Sequence, residues 1–158
     1  MKKTTWTNIL FWIAVTEAVG ALAGFLTREG TRLYNVTAVK PPLSPPPIVF
    51  PIVWVILYAI LGFGAARIFD APPSPERTRA RRLFWLQLVF NFFWSLIFFN
   101  LQAYGFAFAW LVVLWVLIVL MILSWRKIDP LAAWLQVPYL LWVTFAGYLN
   151  MGVYLLNK

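Results

Sequence analysis

A chain of 158 residues that is 63% hydrophobic and only 11% charged cannot hide its apolar surface in a single water-soluble core. Its net charge of +8 would suit nucleic acid, but the basic residues fall in short clusters between apolar runs and not along one polar face, so they read as topology signals and nucleic acid is excluded. With no Cys and no His, the sequence also excludes thiol nucleophiles, disulfides, zinc sites and the commonest haem ligand.

One helical crossing of a hydrocarbon layer roughly 30 Å thick takes about 20 apolar residues, and five runs of that length are present. The first, 6–26, follows Lys2 and Lys3 and has no convincing small-residue cleavage site, so it reads as a retained helix and not a signal peptide. Midway along it stands Glu17, with Gly20, Ala21 and Gly24 on the same face. Close helix packing is the preferred reading of those small residues, with Glu17 a satisfied interior group and not a proton carrier or ligand partner.

Residues 27–47 form the longest connection, carrying Arg28, Glu29, Arg32 and Lys40 and then Pro41, Pro42, Pro45, Pro46 and Pro47. The prolines predict a stiff, extended cap. The second run is 48–69. After it, Pro72, Pro73 and Pro75 precede Arg77, Arg79, Arg81 and Arg82, which predicts a polar, mobile connection over 70–82.

The third run, 83–101, carries a partly polar stripe of Gln87, Asn91, Trp94 or Ser95, and Phe98. Interhelical hydrogen bonding and a cavity lining explain that stripe equally well. A tight turn at 100–103 leads to the fourth run, 104–125, and a short basic connection to the fifth, 131–156. Pro138 should kink the fifth helix and open space beside Trp142. Trp6, Trp12, Trp125 and Trp134 lie near helix ends and read as interfacial anchors, whereas Trp54, Trp94 and Trp142 lie deeper.

The expected architecture is therefore one all-α membrane domain over 1–158, a five-transmembrane-helix bundle in which short connections make successive helices antiparallel neighbours. Nine of the 13 basic residues, among them Lys2, Lys3, Arg67 and Arg126, fall on the N-terminal side; Arg28, Arg32, Lys40 and Lys158 fall on the other. That excess predicts the N-terminus inside and the first loop outside, and helical spans favour a bacterial cytoplasmic membrane over an outer one.

The segment KPPLSPPPIVFPIVWVILY, residues 40–58, resembles the signature of the translocator protein family, also called tryptophan-rich sensory proteins or peripheral-type benzodiazepine receptors. REGTRLY at 28–34, QLVFNFFWSLIFF at 87–99 and PYLLWVTFAGYLN at 138–150 extend the similarity to bacterial members over nearly the whole chain. The resemblance implies a five-helix bundle, commonly a homodimer, with a cavity in each protomer capped by the first loop. It also implies tetrapyrrole ligands such as protoporphyrin IX or haem, with no required cofactor, and in some members cholesterol or synthetic ligands. Carried over by position, the ligand-binding residues are Val49, Phe50, Trp54, Asn91, Trp94, Phe106, Trp142, Ala146 and Leu149. Pro42 and Leu43 stand where many relatives have loop tryptophan, so the aromatic lid is expected to be thinner.

The expected function is a membrane receptor or sensor for tetrapyrroles, held by stacking on indoles and by Arg28, Arg32 or Lys40 pairing with propionates. The alternatives are light-dependent porphyrin breakdown, with Trp54 and Trp142 as electron donors, and transport of tetrapyrroles or lipids. No metal site and no catalytic constellation that works in the dark is legible.

Overall fold

The computed structural model describes residues 3–158; Lys2, counted above for the orientation, lies outside them. Seven α-helices follow in order: α1 Trp6–Leu26, α2 Arg28–Thr37, α3 Val49–Phe69, α4 Pro75–Ser95, α5 Tyr104–Arg126, α6 Pro130–Trp134 and α7 Val137–Leu156. Helix α4 continues into one π-helical turn, Leu96–Asn100, and α6 with α7 makes up the last crossing. Five stretches are long and apolar enough to span a membrane, and the protein is a five-helix membrane bundle.

Three elements depart from the sequence expectation, each for a local reason. The loop over 27–47 is not extended throughout, because α2 occupies half of it; Glu29 and Arg32 pair across one turn at 2.8 Å on its exposed side, and Tyr34 is buried on the other. The basic connection over 70–82 shrinks to a few residues. Ser74 caps α4 by accepting a hydrogen bond from the Arg77 amide at 3.0 Å, and Pro75 fits the first helical position, where no amide donor is needed. The last helix breaks between Trp134 and Val137 and does not kink at Pro138, which sits in the first turn of α7 as another proline with no amide to lose.

The early start of α4 also corrects the reading of Trp125. It is fully buried against Phe84 and donates its indole N–H to the Ala80 carbonyl at 3.2 Å, so it is core and not an interfacial anchor. Trp12 likewise packs on Phe69 and Phe84, whereas Trp6 and Trp134 are exposed at helix ends as anticipated.

Helix α1 packs along α3, α3 touches α4 and α6, α4 lies against α5, and α5 against α7. At the N-terminal end the core is tight: Leu61, Ala65, Ile68, Ala80, Phe84, Met121 and Trp125 form one apolar cluster. Helices α1 and α3 approach closely at Gly62, where an added Cβ would lie 2.5 Å from the Ile13 Cα and 2.8 Å from the Thr16 hydroxyl. Thr16 in turn donates to the Tyr58 carbonyl at 2.7 Å, tying α1 to α3. A backbone atom cannot swing aside, so Gly62→Ala should separate the two helices and destabilise the bundle by about 1–3 kcal/mol. A thermal melt in detergent checks this, with Gly24→Ala as the neutral control, since a Cβ there meets nothing within 4 Å.

Next to that cluster, toward the first loop, lies a buried polar chain. The Tyr139 hydroxyl donates to Gln87 Oε1 at 2.7 Å, Asn91 Nδ2 donates to the Tyr139 oxygen at 2.7 Å, and Tyr58 donates to Asn91 Oδ1 at 3.3 Å. Three crossings are thereby tied together by satisfied side chains, where an unpaired polar group would be costly.

Candidate ligand cavity

From this polar chain toward the first loop, the helices diverge. Helices α1 and α4 meet at Trp12 and Trp85, with ring centroids 5.9 Å apart, but one to three turns further on their facing residues border open space. The result is a cavity of about 730 Å³ between α1, α3, α4 and α7, roofed by α2. That size lies within the range of small-molecule and cofactor sites.

Eight aromatic rings, on α2, α3, α4 with its π turn, and α7, contribute to its walls. Trp54 and Phe50 on α3 face Trp142 on α7, with Trp54–Trp142 and Phe50–Trp142 centroids 6.4 and 5.8 Å apart, both edge-to-face. Opposite them, Trp94 stacks on Phe98 at 5.1 Å and is fixed by its N–H to Asn150 Oδ1, 3.1 Å. The π turn carries Phe98 and Phe99 under α2, where both meet the Tyr34 ring edge-on at 5.3 and 5.4 Å. Burial pushes the Tyr34 phenol up to about 12, with Tyr104 a lesser cause, so it stays a neutral group at any physiological pH.

Two charged groups border the cavity, at different depths. Arg28 lies at the rim, its guanidinium over the Phe25 ring at 4.1 Å and bonded to the Phe25 carbonyl at 2.7 Å. Glu17 lines the cavity wall, and among the described residues no group donates a hydrogen bond to it, which departs from its expected role as a satisfied interior group. The Trp142 indole nitrogen is buried with no acceptor among the described residues, leaving one N–H for an incoming oxygen.

Of the nine residues carried over by resemblance, Phe50, Trp54, Trp94, Trp142, Ala146 and Leu149 line this space. Val49, Asn91 and Phe106 do not. Val49 is one residue out of phase with the wall formed by Phe50 and Trp54; Asn91 belongs to the polar chain beneath; Phe106 is 59% exposed on the outer face of α5. The polar stripe on α4 is thus divided: Gln87 and Asn91 hold helices together, while Trp94, Ser95 and Phe98 border the cavity. The small-residue face of α1, Gly20, Ala21 and Gly24, borders the cavity throughout, with Gly20 also pressed on the Tyr58 ring and Gly24 facing open space.

Residues not carried over also line the cavity, including Thr31, Tyr34, Tyr58 and Asn150. Arg32 and Lys40, suggested as propionate partners, have other roles. Arg32 pairs with Glu29, and the Lys40 ammonium caps the end of α2, 3.2 Å from the Asn35 carbonyl and 4.9 Å above the Tyr34 ring. Leu43 is 81% exposed and contributes nothing to the wall, and Pro42 instead receives the Tyr148 hydroxyl on its carbonyl at 2.7 Å. The roof is α2, fastened beyond Thr37 by paired bonds between Val39 and the Asn157 side chain at 2.9 and 2.7 Å.

Fold and cavity together define an α-helical membrane protein with an aromatic, ligand-sized chamber in its bundle. The chain belongs to the TspO/MBR family, whose model matches residues 12–156. It is 36% identical over 146 residues to the tryptophan-rich protein TspO of Chlorobaculum tepidum, covering 92% of each chain. The tryptophan-rich sensory protein of Cereibacter sphaeroides is 33% identical over 152 residues, 96% of this chain and 92% of its own. The translocator protein of Ovis aries is 32% identical over 136 residues, covering 85% and 80%. Family membership and these names support a membrane sensor or receptor role.

Proposed function

We propose that this protein is a membrane receptor or sensor that binds a tetrapyrrole, protoporphyrin IX or haem, in the cavity beneath α2, with room for other flat hydrophobic ligands. The observation that supports this most is the chamber itself: indole and phenyl rings on α3, α4 and α7 surround about 730 Å³, with Arg28 as the cation at its rim. A macrocycle offers apolar faces to Trp54, Trp94 and Trp142, and its acidic side groups can reach a guanidinium at the water boundary. The chain holds neither His nor Cys, so a metal-free porphyrin fits as well as haem. Protein residues alone form the site, and no further cofactor enters the proposal.

The N-terminus lies on the cytoplasmic side of a bacterial cytoplasmic membrane in this reading, supported by the basic excess on that side. The assembly is a homodimer, as the family resemblance implies; a cross-linking ladder in native membranes that stops at two chains supports it, and a monomer band alone removes it.

Titrating the detergent-solubilised protein with protoporphyrin in darkness tests the main reading. Saturable quenching of tryptophan emission at micromolar ligand is expected, and Arg28→Gln should weaken it about fivefold, the worth of one exposed charge-assisted contact. Unchanged emission over that range removes the proposal.

A second reading is supported by the 6.4 Å spacing of Trp54 and Trp142. A porphyrin held beside them and excited by light could draw an electron from either indole, and dioxygen would complete an oxidative breakdown. Illumination of the complex with and without oxygen, followed by absorbance of the porphyrin, separates this from binding alone. Flux of tetrapyrrole through liposomes would favour transport instead.

A further inference from the structure

At the opposite end of the bundle from the cavity lies a second concavity, about 310 Å³, bounded by Thr78, Arg81, Arg82 and Trp85. These positions fall at i, i+3, i+4 and i+7 of α4, on one face of the helical turns that extend the third crossing beyond its apolar run. The structure points to a binding site here for the phosphate headgroup of an anionic phospholipid, and we propose that the protein holds one such lipid in this groove.

Four observations converge on that occupant. First, the two guanidinium groups have no carboxylate partner: among the described residues the ion pairs are Arg32 with Glu29 and Arg67 with Asp129, and helical spacing puts Glu76 on the opposite face of α4. Second, Arg81 is not a free tether. Its guanidinium sits 4.8 Å from the centre of the Phe69 ring, which fixes it toward the groove, whereas Arg77 is turned away onto the Ala71 carbonyl at 2.7 Å.

Third, the depth is that of lipid headgroups. Arg81 and Arg82 immediately precede Leu83, where the apolar run of the crossing begins, so their charges stand at the boundary between water and acyl chains. Fourth, an aromatic floor continues from the groove into the membrane: exposed Trp85 lies 5.9 Å from Trp12 and 6.3 Å from Phe69, and Trp12 contacts Phe69 at 4.1 Å. A double-chained amphiphile with a phosphodiester meets both halves of this surface, the phosphate on the arginines and the glycerol and upper acyl carbons on the indole. Topology signalling alone needs basic residues on one side of the membrane; it does not need one arginine held over a ring beside a concave, tryptophan-floored pocket.

The test compares lipid retention in nanodiscs of phosphatidylcholine containing a minor fraction of phosphatidylglycerol, read by native mass spectrometry. One phosphatidylglycerol per chain is expected to outlast the zwitterionic lipid. The double variant Arg81→Gln/Arg82→Gln should weaken its retention about thirtyfold, the product of two interfacial charges. Arg79→Gln/Arg126→Gln removes the same charge from the same end and should change it by less than about threefold. Both pairs are checked for unchanged helical circular dichroism; if the first misfolds, Arg82→Gln alone, at an exposed residue, replaces it.

Equal losses in the two pairs would reduce the effect to a diffuse field and overturn the site. Equal retention of the two lipids would do the same. Competition by soluble glycerol phosphate at the strength of the lipid would reassign the groove to a free phosphate. Protoporphyrin quenching, which reads the other end of the bundle, should be unaffected by either pair.

Discussion

Asp129→Ala should lower the melting temperature of the detergent-solubilised protein by roughly 10 °C, the largest loss expected from any single polar residue. Asp129 has side-chain exposure of only 4% and serves two purposes at once. Its Oδ2 accepts the Arg67 Nε at 2.5 Å, and its Oδ1 accepts the amides of Leu131 and Ala132 at 3.1 and 3.3 Å, capping α6. Truncation leaves a largely covered guanidinium without its anion and two helix-start amides without an acceptor. Breaking such a pair and losing the cap together cost about 3–4 kcal/mol.

The consequence extends beyond the two residues, because α6 is the hinge piece of the last crossing. Its C-terminal neighbour Gln136 sends Nε2 to the Ile60 carbonyl of α3 at 3.3 Å, and Gly64 of α3 admits Gln136 and Trp125 so closely that a Cβ there would meet them at 2.7 and 2.8 Å. Asp129→Asn keeps an N-cap but not the charge, so its loss should fall between those of alanine and wild type. A melting point for alanine within two degrees or so of wild type would mean that Arg67 finds water and that α6 needs no cap.

That residue also marks how far the sequence could be read. The crossings were legible because apolar runs of membrane length have no other use, and the bounds of α1 and α5 follow directly from where those runs stop. Hydropathy is blind to helices that are polar. The first turns of α4 and all of α2 therefore leave no mark on it, although Ser74 followed by Pro75 and Glu76 is a helix-start signature in its own right. Similarly, Asp129 before Pro130 announces α6 as a cap, but its partner Arg67 is 62 residues away and no local pattern joins them.

For the cavity, resemblance supplied positions along the helices but not their rotation. Phe106 shows the difference: one turn from Trp110, whose indole reaches inward to the Phe90 carbonyl at 2.8 Å, it nevertheless points away from the bundle. Asn91 is inward but too deep, because Tyr58 and Tyr139 close over it. Glu17, by contrast, stands out by its cost in a membrane, although the small residues beside it favour a packing explanation. Its place on the cavity wall depends on residues of α3, α4 and α7 that are distant in sequence and is not visible in the residues around Glu17.

If the chamber takes a tetrapyrrole, the second large effect should come from Trp54 and Trp142. Each stands on a different crossing, and the rings bridge α3 and α7 here. Replacing either with Leu removes a flat surface and keeps an apolar side chain, so the loss reads stacking and not general hydrophobicity. About 1–2 kcal/mol per ring, or roughly fivefold to thirtyfold in affinity, is expected. The double variant should lose less than the product of the two, since the rings touch each other and a single replacement already loosens its partner.

Trp115→Leu provides the control: that indole bonds to the Thr144 hydroxyl at 2.8 Å outside the cavity, and affinity should not change. Phenylalanine separates binding from photochemistry. Trp54→Phe and Trp142→Phe retain a ring to stack on but are far poorer electron donors, so dark affinity should stay within about threefold while any light-dependent bleaching of the porphyrin falls sharply. Bleaching that persists in both variants would take the indoles out of the photochemistry, and affinity that survives the leucine pair would move the ligand out of this chamber altogether.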